Sequence, residues 1–163
     1  MQIRIAHHFA VSPRAYWDGT RAPDLDEKIA EAGEIDVTVL ERRRAGPLTH
    51  DRLRVSPRAE LPALAQRALG SKRFSYVQVV DSDDDTMTTR WKVLPDVLPD
   101  KLQCEGTSRV VATADGCERI IEGEIRDAIP LVGGSIERAV LESLEKSYER
   151  AADVIRRHLA GGG

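Results

Sequence analysis

No run of apolar residues in this 163-residue chain comes near the roughly 18 that a membrane-crossing helix needs, so no integral membrane segment is expected. The opening MQIRIAHHFAV lacks a basic region, a long apolar core and a small-residue cleavage site. It reads as a strand of the mature chain rather than a secretion signal, and a cytoplasmic protein is the default. Aromatic residues make up only 4% of the chain, which argues against a platform for stacking bases. Charge of one sign is lacking as well, with 24 Lys and Arg against 27 Asp and Glu. The one basic cluster, ERRRAG from Glu41 to Gly46, is too short to mark a nucleic-acid face. No nucleic-acid partner is expected.

Cysteine is scarce: Cys104 and Cys117 are the only two. Asp115-Gly116 is a two-residue hairpin signal that would set Ala114 opposite Cys117. Cys104 then falls several pairs down the ladder, beyond disulfide reach. Two reduced thiols are expected.

Motifs that carry chemistry are mostly missing. There is no G-x-S-x-G, no phosphate loop, and no cysteine with an evident base. His7 and His8 are adjacent, and adjacent side chains on a strand point to opposite faces, so they cannot share a metal. His50 and His158 have no acidic or cysteine partner at ligand spacing. His50 and Asp51 diverge in the same way as the first pair. The acidic DSDDDT from Asp81 fails as a calcium loop, because Thr86 and Lys92 stand where Gly and Glu are required. It reads as a solvated hairpin tip. No catalytic residue, metal or cofactor is assigned.

What the chain does have is pattern. At 41% hydrophobic it can bury a core, and it reads as one domain over residues 1–160 with a glycine tail at 161–163. Ile3, Ile5, His7 and Phe9 alternate along a strand from Gln2 to Val11. Ser12 and Pro13 open a short helix, and a second runs from Asp24 to Ala32. Strands follow at Ile35–Arg43, Thr49–Val55, Phe74–Val80, Met87–Val93, Gly106–Thr113 and Glu118–Ile129. The proline-bearing stretch between the third and fourth strands has room for one short helix.

A long helix from Leu131 to Leu159 closes the chain. Ile136, Val140, Leu144, Tyr148, Ala151, Ile155 and Leu159 form one apolar stripe at a period near 3.6. Glu142–Lys146 and Asp153–Arg157 are supportive pairs on the polar side, and Arg156, Arg157 and His158 suit the negative helix end. About 25 residues at about 1.5 Å each reach on the order of 37 Å, enough to cross a whole sheet. With Asp115-Gly116 as the turn, Val110 faces Ile121, Ser108 faces Gly123 and Gly106 faces Ile125. Ile121, Ile125 and Ile129 share that face, which therefore carries a notch at Ser108, Gly123 and Gly106. Sheet curvature, close approach of the helix, or a ligand would each explain it.

The order of elements, together with EGEIRDAIPLVGGSIERAVLESLEKSYERAADVIRRHL, resembles the helix-grip fold of START domains, polyketide cyclases and Bet v 1-like proteins. Within that superfamily, Glu122 to Leu159 is similar to the bacterial family DUF2505, whose members show a strand leading into IPLVGG-IE and a long terminal helix. HHFAVSPRAYW and LPDKLQCEGTSRV also fit. The resemblance implies an α+β fold in which a seven-stranded curved antiparallel sheet wraps the C-terminal helix, with two short helices after the first strand. It also implies a cavity between sheet and helix, used by many relatives for lipids, sterols or other apolar molecules.

The fourth and fifth strands supply a lining. Tyr76, Gln78 and Val80 are expected to face Trp91, Thr89 and Met87, an apolar wall with a few polar groups. With Trp17 on the first helix, Ser108, Gly123 and Ile125 on the last hairpin, and Val140 and Leu144 on the long helix, these make the candidate ligand site. Gln78 or His7 would orient the ligand. The expected partner is a hydrophobic small molecule or lipid. The alternatives are a cyclase-like or hydrolase-like enzyme in the same cavity, and an interaction module whose core is filled.

Overall fold

The computed structural model describes residues 1–127 and 133–161. In chain order the elements are β1 (Gln2–Phe9), α1 (Pro13–Gly19), α2 (Pro23–Ala32), β2 (Ile35–Ala45), β3 (Leu48–Pro57), α3 (Ala63–Leu69), β4 (Tyr76–Asp83), β5 (Thr88–Pro95), β6 (Leu102–Thr113), β7 (Gly116–Asp127) and α4 (Gly133–Leu159). Ile129, Leu131 and the side chain of Ile136, all assigned above, lie outside the described residues.

The seven strands form one antiparallel sheet in the order β1-β7-β6-β5-β4-β3-β2. Strands β2 to β7 are a meander, and β1 joins its far end by pairing with β7. That order explains the two short helices. β1 and β2 occupy opposite edges, so the chain must cross the width of the sheet between them, and α1 and α2 make the crossing. Ser12 caps α1 by accepting a hydrogen bond from the Ala15 amide at 3.2 Å, and Pro13 and Pro23 each begin a helix where a missing N–H is harmless. Gly70 ends α3 in the left-handed region at φ 66°.

β1 shows the expected alternation: Ile3, Ile5, His7 and Phe9 are buried, and the residues between them are exposed. This inner face carries α4, which packs on β1, β7 and α2. The arrangement is the helix-grip fold, with a curved sheet around a long terminal helix.

Two registers differ from the sequence reading. The β6–β7 turn is made by Ala114 and Asp115, so Thr113 pairs with Gly116 and Ala112 with Cys117. Gly116 is spent on close approach instead of the turn, since a Cβ there would collide with the carbonyl oxygen of Phe9 on β1. Every partner moves by two: Val110 faces Arg119, Ser108 faces Ile121, and Gly106 faces Gly123. Between β4 and β5, Val80 pairs with Trp91, Gln78 with Val93 and Tyr76 with Pro95. The strands run further than expected because the turn sits at Asp84–Met87, leaving Met87 in it at φ 50°. Both slips are even, so every side chain keeps its face. On α4, Asp153 pairs with Arg156 at 3.1 Å, not with Arg157. Both cysteines are free and buried, as expected.

A bulge at Leu40 shifts the β2–β3 register between Val39 and Glu41. Beyond it, Arg42 rather than Glu41 joins the inner face, where it grips Asp51 at 2.8 and 3.2 Å. No helix among the described residues is long and apolar enough to cross a membrane.

Candidate functional site

The apolar interior is divided in two. One cluster gathers Phe9, Tyr16, Trp17, Leu25, Ala152 and Ile155 around the C-terminal end of α4. The other gathers Ile3, Ile5, Trp91, Leu102, Ile121 and Ile125, against which Val140, Leu141, Leu144 and Tyr148 pack. The contrast along α4 is plain: Ala151, Ala152, Val154 and Ile155 are buried, whereas Val140, Leu144 and Tyr148 keep part of their surface accessible. At the far edge of the same face, Val37 and Val39 are 41% and 51% exposed.

A cleft of about 200 Å³ lies where the two clusters fail to merge. Its apolar wall includes Trp17, Val80, Trp91 and Ile121. Its polar wall comes from neighbouring rungs of the sheet. Ile121, Ser108, Thr89 and Ser82 form one cross-strand row, in which Ser82 and Thr89 share a hydrogen bond at 3.2 Å. His7, Arg119 and Val110 form the next row.

Arg119 is the unusual member. It is only 8% exposed. Its guanidinium donates to Tyr16 Oη at 3.4 Å and to His7 Nδ1 at 3.1 Å, and it lies 5.7 and 5.6 Å from the ring centres of Phe9 and Tyr148. Its Nε and the Nε1 of Trp91 are buried without a hydrogen-bond partner among the described residues. With Nδ1 accepting from Arg119, the His7 proton sits on Nε2 and is donated to Glu149 at 2.8 Å. Burial drives the His7 imidazole below its ordinary value of 6.5; the Glu149 hydrogen bond opposes this and the Arg119 charge reinforces it.

A pH dependence follows from that direction. Below about pH 6.5 the unfolded chain takes up a proton at His7 that the folded chain refuses until its own, lower pKa is passed. Stability due to His7 is therefore complete above 6.5 and falls on acidification through that window. The urea midpoint of His7→Gln should change less between pH 7 and about pH 5.5 than that of the native sequence. Equal changes would mean His7 is not held neutral.

Of the residues expected at the site, Trp17, Gln78, Trp91 and Ser108 line the cleft together. Tyr76, Val140 and Leu144 pack against the second cluster and are not among the residues lining the cleft, and Ile125 is fully buried in that cluster. Met87 packs against the first cluster from its turn. Gly123 lies beneath Trp91, whose ring atoms would stand 2.8 and 2.9 Å from a Cβ placed there. The notch in the last hairpin is thus occupied by indole. The hairpin tip is also less free than a solvated loop, because Asp84 accepts hydrogen bonds from Trp17 Nε1 at 2.9 Å and from Arg44.

Arg119 escaped the sequence reading. A signal was present: position 119 has the parity of Ile121 and Ile125, so a charge there faces inward. Burial pushes the Cys104 thiol up to about 12 and raises Cys117, so neither is a ready nucleophile. Burial likewise raises Tyr16 and Tyr148, which therefore present neutral hydroxyls. A broader hollow of about 1100 Å³ includes the outer row of Arg43, His50, Asp81 and Arg90, where His50 and Asp81 satisfy each other at 2.6 Å.

Among solved structures, TTHA0849 from Thermus thermophilus aligns over 100% of this chain and 99% of its own, at 14% identity and a TM-score of 0.68. Ara h 8.0201 aligns over 95% and 97%, at 11% identity and 0.65. The Zhui aromatase/cyclase from Streptomyces sp. R1128 aligns over 99% and 92%, at 12% identity and 0.56. At such identities these likenesses establish the fold alone. No curated protein is significantly similar in sequence. Residues 4–159, nearly the whole chain, match the family described as "Protein of unknown function (DUF2505)". The chain belongs to the DUF2505 family.

Proposed function

We propose that residues 1–160 act as one START-like unit that binds a small amphipathic molecule, such as a lipid or an aromatic compound, between the inner face of the sheet and α4. The observation that carries this reading is the cleft between two separate apolar clusters, with Tyr148 of α4 in its wall. Trp17, Trp91 and Val80 would supply apolar contact, each Å² removed from water contributing about 25 cal/mol. Gln78, Ser108 and Thr89 would fix orientation. Val140 and Leu144 would close the site from the helix side. Among the proteins that share this fold, one is an aromatase/cyclase by name, which supports a small-molecule site in this architecture.

Carriage is favoured over catalysis by the placement of His7. Both ring nitrogens are engaged, one by Arg119 and one by Glu149, and the ring stands behind Arg119 instead of on the cleft wall. It is placed to hold Arg119, not to take a proton from a bound molecule. Native mass spectrometry of the purified protein, followed by solvent extraction, is expected to show a co-purifying small molecule. A bare protein mass, together with no binding of the neutral apolar probe N-phenyl-1-naphthylamine, would contradict the reading.

A further inference from the structure

Resting on that reading, we infer that the polar end of the ligand is an anion, a carboxylate or its chemical equivalent, and that Arg119 is the residue that receives it. A guanidinium stays protonated at any physiological pH, so Arg119 places a permanent cation in the interior. Burying such a charge is costly unless it is neutralised and hydrogen-bonded. Among the described residues, the groups that touch it supply hydrogen-bond acceptors and ring faces but no negative charge: the Tyr16 hydroxyl, the neutral side of His7, and the rings of Phe9 and Tyr148. The acid connected to it, Glu149, is one residue removed behind His7 and has a side chain 61% exposed. Its Nε–H is left without a partner among the described residues.

Arg21, the other arginine on the cleft wall, sharpens the contrast. It stacks on Trp17 at 3.9 Å and lies in the field of Asp84, Asp26 and Asp51. Among the described residues, no carboxylate contacts Arg119. Two of the residues lining the cleft are arginines, and among the described residues none of the lining is an aspartate or glutamate. The cleft that Arg119 lines is also lined by Ser108, Thr89, Tyr148 and Trp91, whose hydroxyls and indole N–H are the kinds of donor that could complete an oxyanion shell. Val80, Trp17 and the Trp91 ring offer the apolar surface beside them. A molecule with a ring or short chain at one end and a carboxylate at the other meets both halves of this wall.

The test compares two probes that share a ring system and differ in charge, 8-anilinonaphthalene-1-sulfonate and N-phenyl-1-naphthylamine, by fluorescence titration of the full-length chain. The anionic probe is expected to bind at least about tenfold more tightly than the neutral one, the scale of a hydrogen bond to a charged group. Arg119→Met should abolish that preference by weakening the anion while leaving the neutral probe within about threefold, and Arg119→Lys should retain part of it. If Arg119→Met does not fold, the probe ratio in the native sequence and in Arg119→Lys still decides. Equal affinities in the native sequence, or parallel loss of both probes in a folded variant, would overturn the anion assignment and leave the binding cleft standing. Failure of both probes to bind would overturn the cleft reading and this inference with it.

Discussion

Replacing Gly106 with alanine is expected to remove about 3 kcal/mol or more of unfolding free energy, the upper end of what overpacking does. Gly106 faces Gly123 across β6 and β7, and Trp91 on β5 lies over both. A Cβ on Gly106 would meet the carbonyl oxygen of Glu122, the Cα of Gly123 at 2.7 Å and Cζ2 of Trp91 at 2.6 Å. Two of those three atoms are backbone, which cannot step aside as the end of a flexible side chain can. The strands would have to part, or the indole would have to leave the second core cluster. Gly134 serves as control, with nothing within 4 Å of an added Cβ. Gly134→Ala should change stability by no more than about 1 kcal/mol, in the stabilising direction. Urea denaturation at pH 7 measures both. A Gly106→Ala variant within about 0.5 kcal/mol of the native sequence would mean that the paired glycines are not needed for the packing of Trp91.

Trp91→Ala is the second large effect, with an expected loss of about 3–5 kcal/mol. Trp91 is 6% exposed and joins Ile3, Ile5, Ile121 and Ile125 in one cluster while forming a wall of the cleft. Removing it takes away apolar burial and leaves a void above the two glycines. Trp91→Phe should cost much less, because it keeps a ring and discards the buried Nε1–H that has no partner among the described residues. The same alanine variant should bind N-phenyl-1-naphthylamine more weakly, even though its cleft is larger, since the lost surface is the widest apolar plane available to a ligand. Unchanged probe affinity in a folded Trp91→Ala protein would remove Trp91 from the site.

The elements were legible because each carries a clean period. The alternation of Ile3, Ile5, His7 and Phe9, and the stripe from Val140 to Leu159, follow from geometry internal to one segment. Registers were less legible because they depend on which residues turn. Asp115-Gly116 looks like a hairpin loop, but Gly116 is consumed by the close approach of β1, a contact made with residues more than a hundred positions away. The bulge at Leu40 has no sequence signal comparable to a glycine, yet it decides that Arg42 rather than Glu41 meets Asp51. Part of the candidate cleft could be read, since Trp17, Gln78, Trp91 and Ser108 do line it together. Its electrostatic centre could not. Arg119, His7 and Glu149 lie on three elements, separated by 112 and 142 positions along the two hydrogen bonds that join them. Only the sheet order, with β1 against β7 and α4 over both, makes them neighbours.

The most direct measurement is an NMR map of where a bound probe sits, using intermolecular contacts between 8-anilinonaphthalene-1-sulfonate and the isotope-labelled full-length protein. Contacts to Trp91, Ser108, Tyr148 and Arg119 are expected, with the sulfonate end nearest Arg119. Contacts confined to the exposed Leu48 and Leu94 on the outer face of the sheet would contradict it, and would mean that sheet and helix leave no usable space between them.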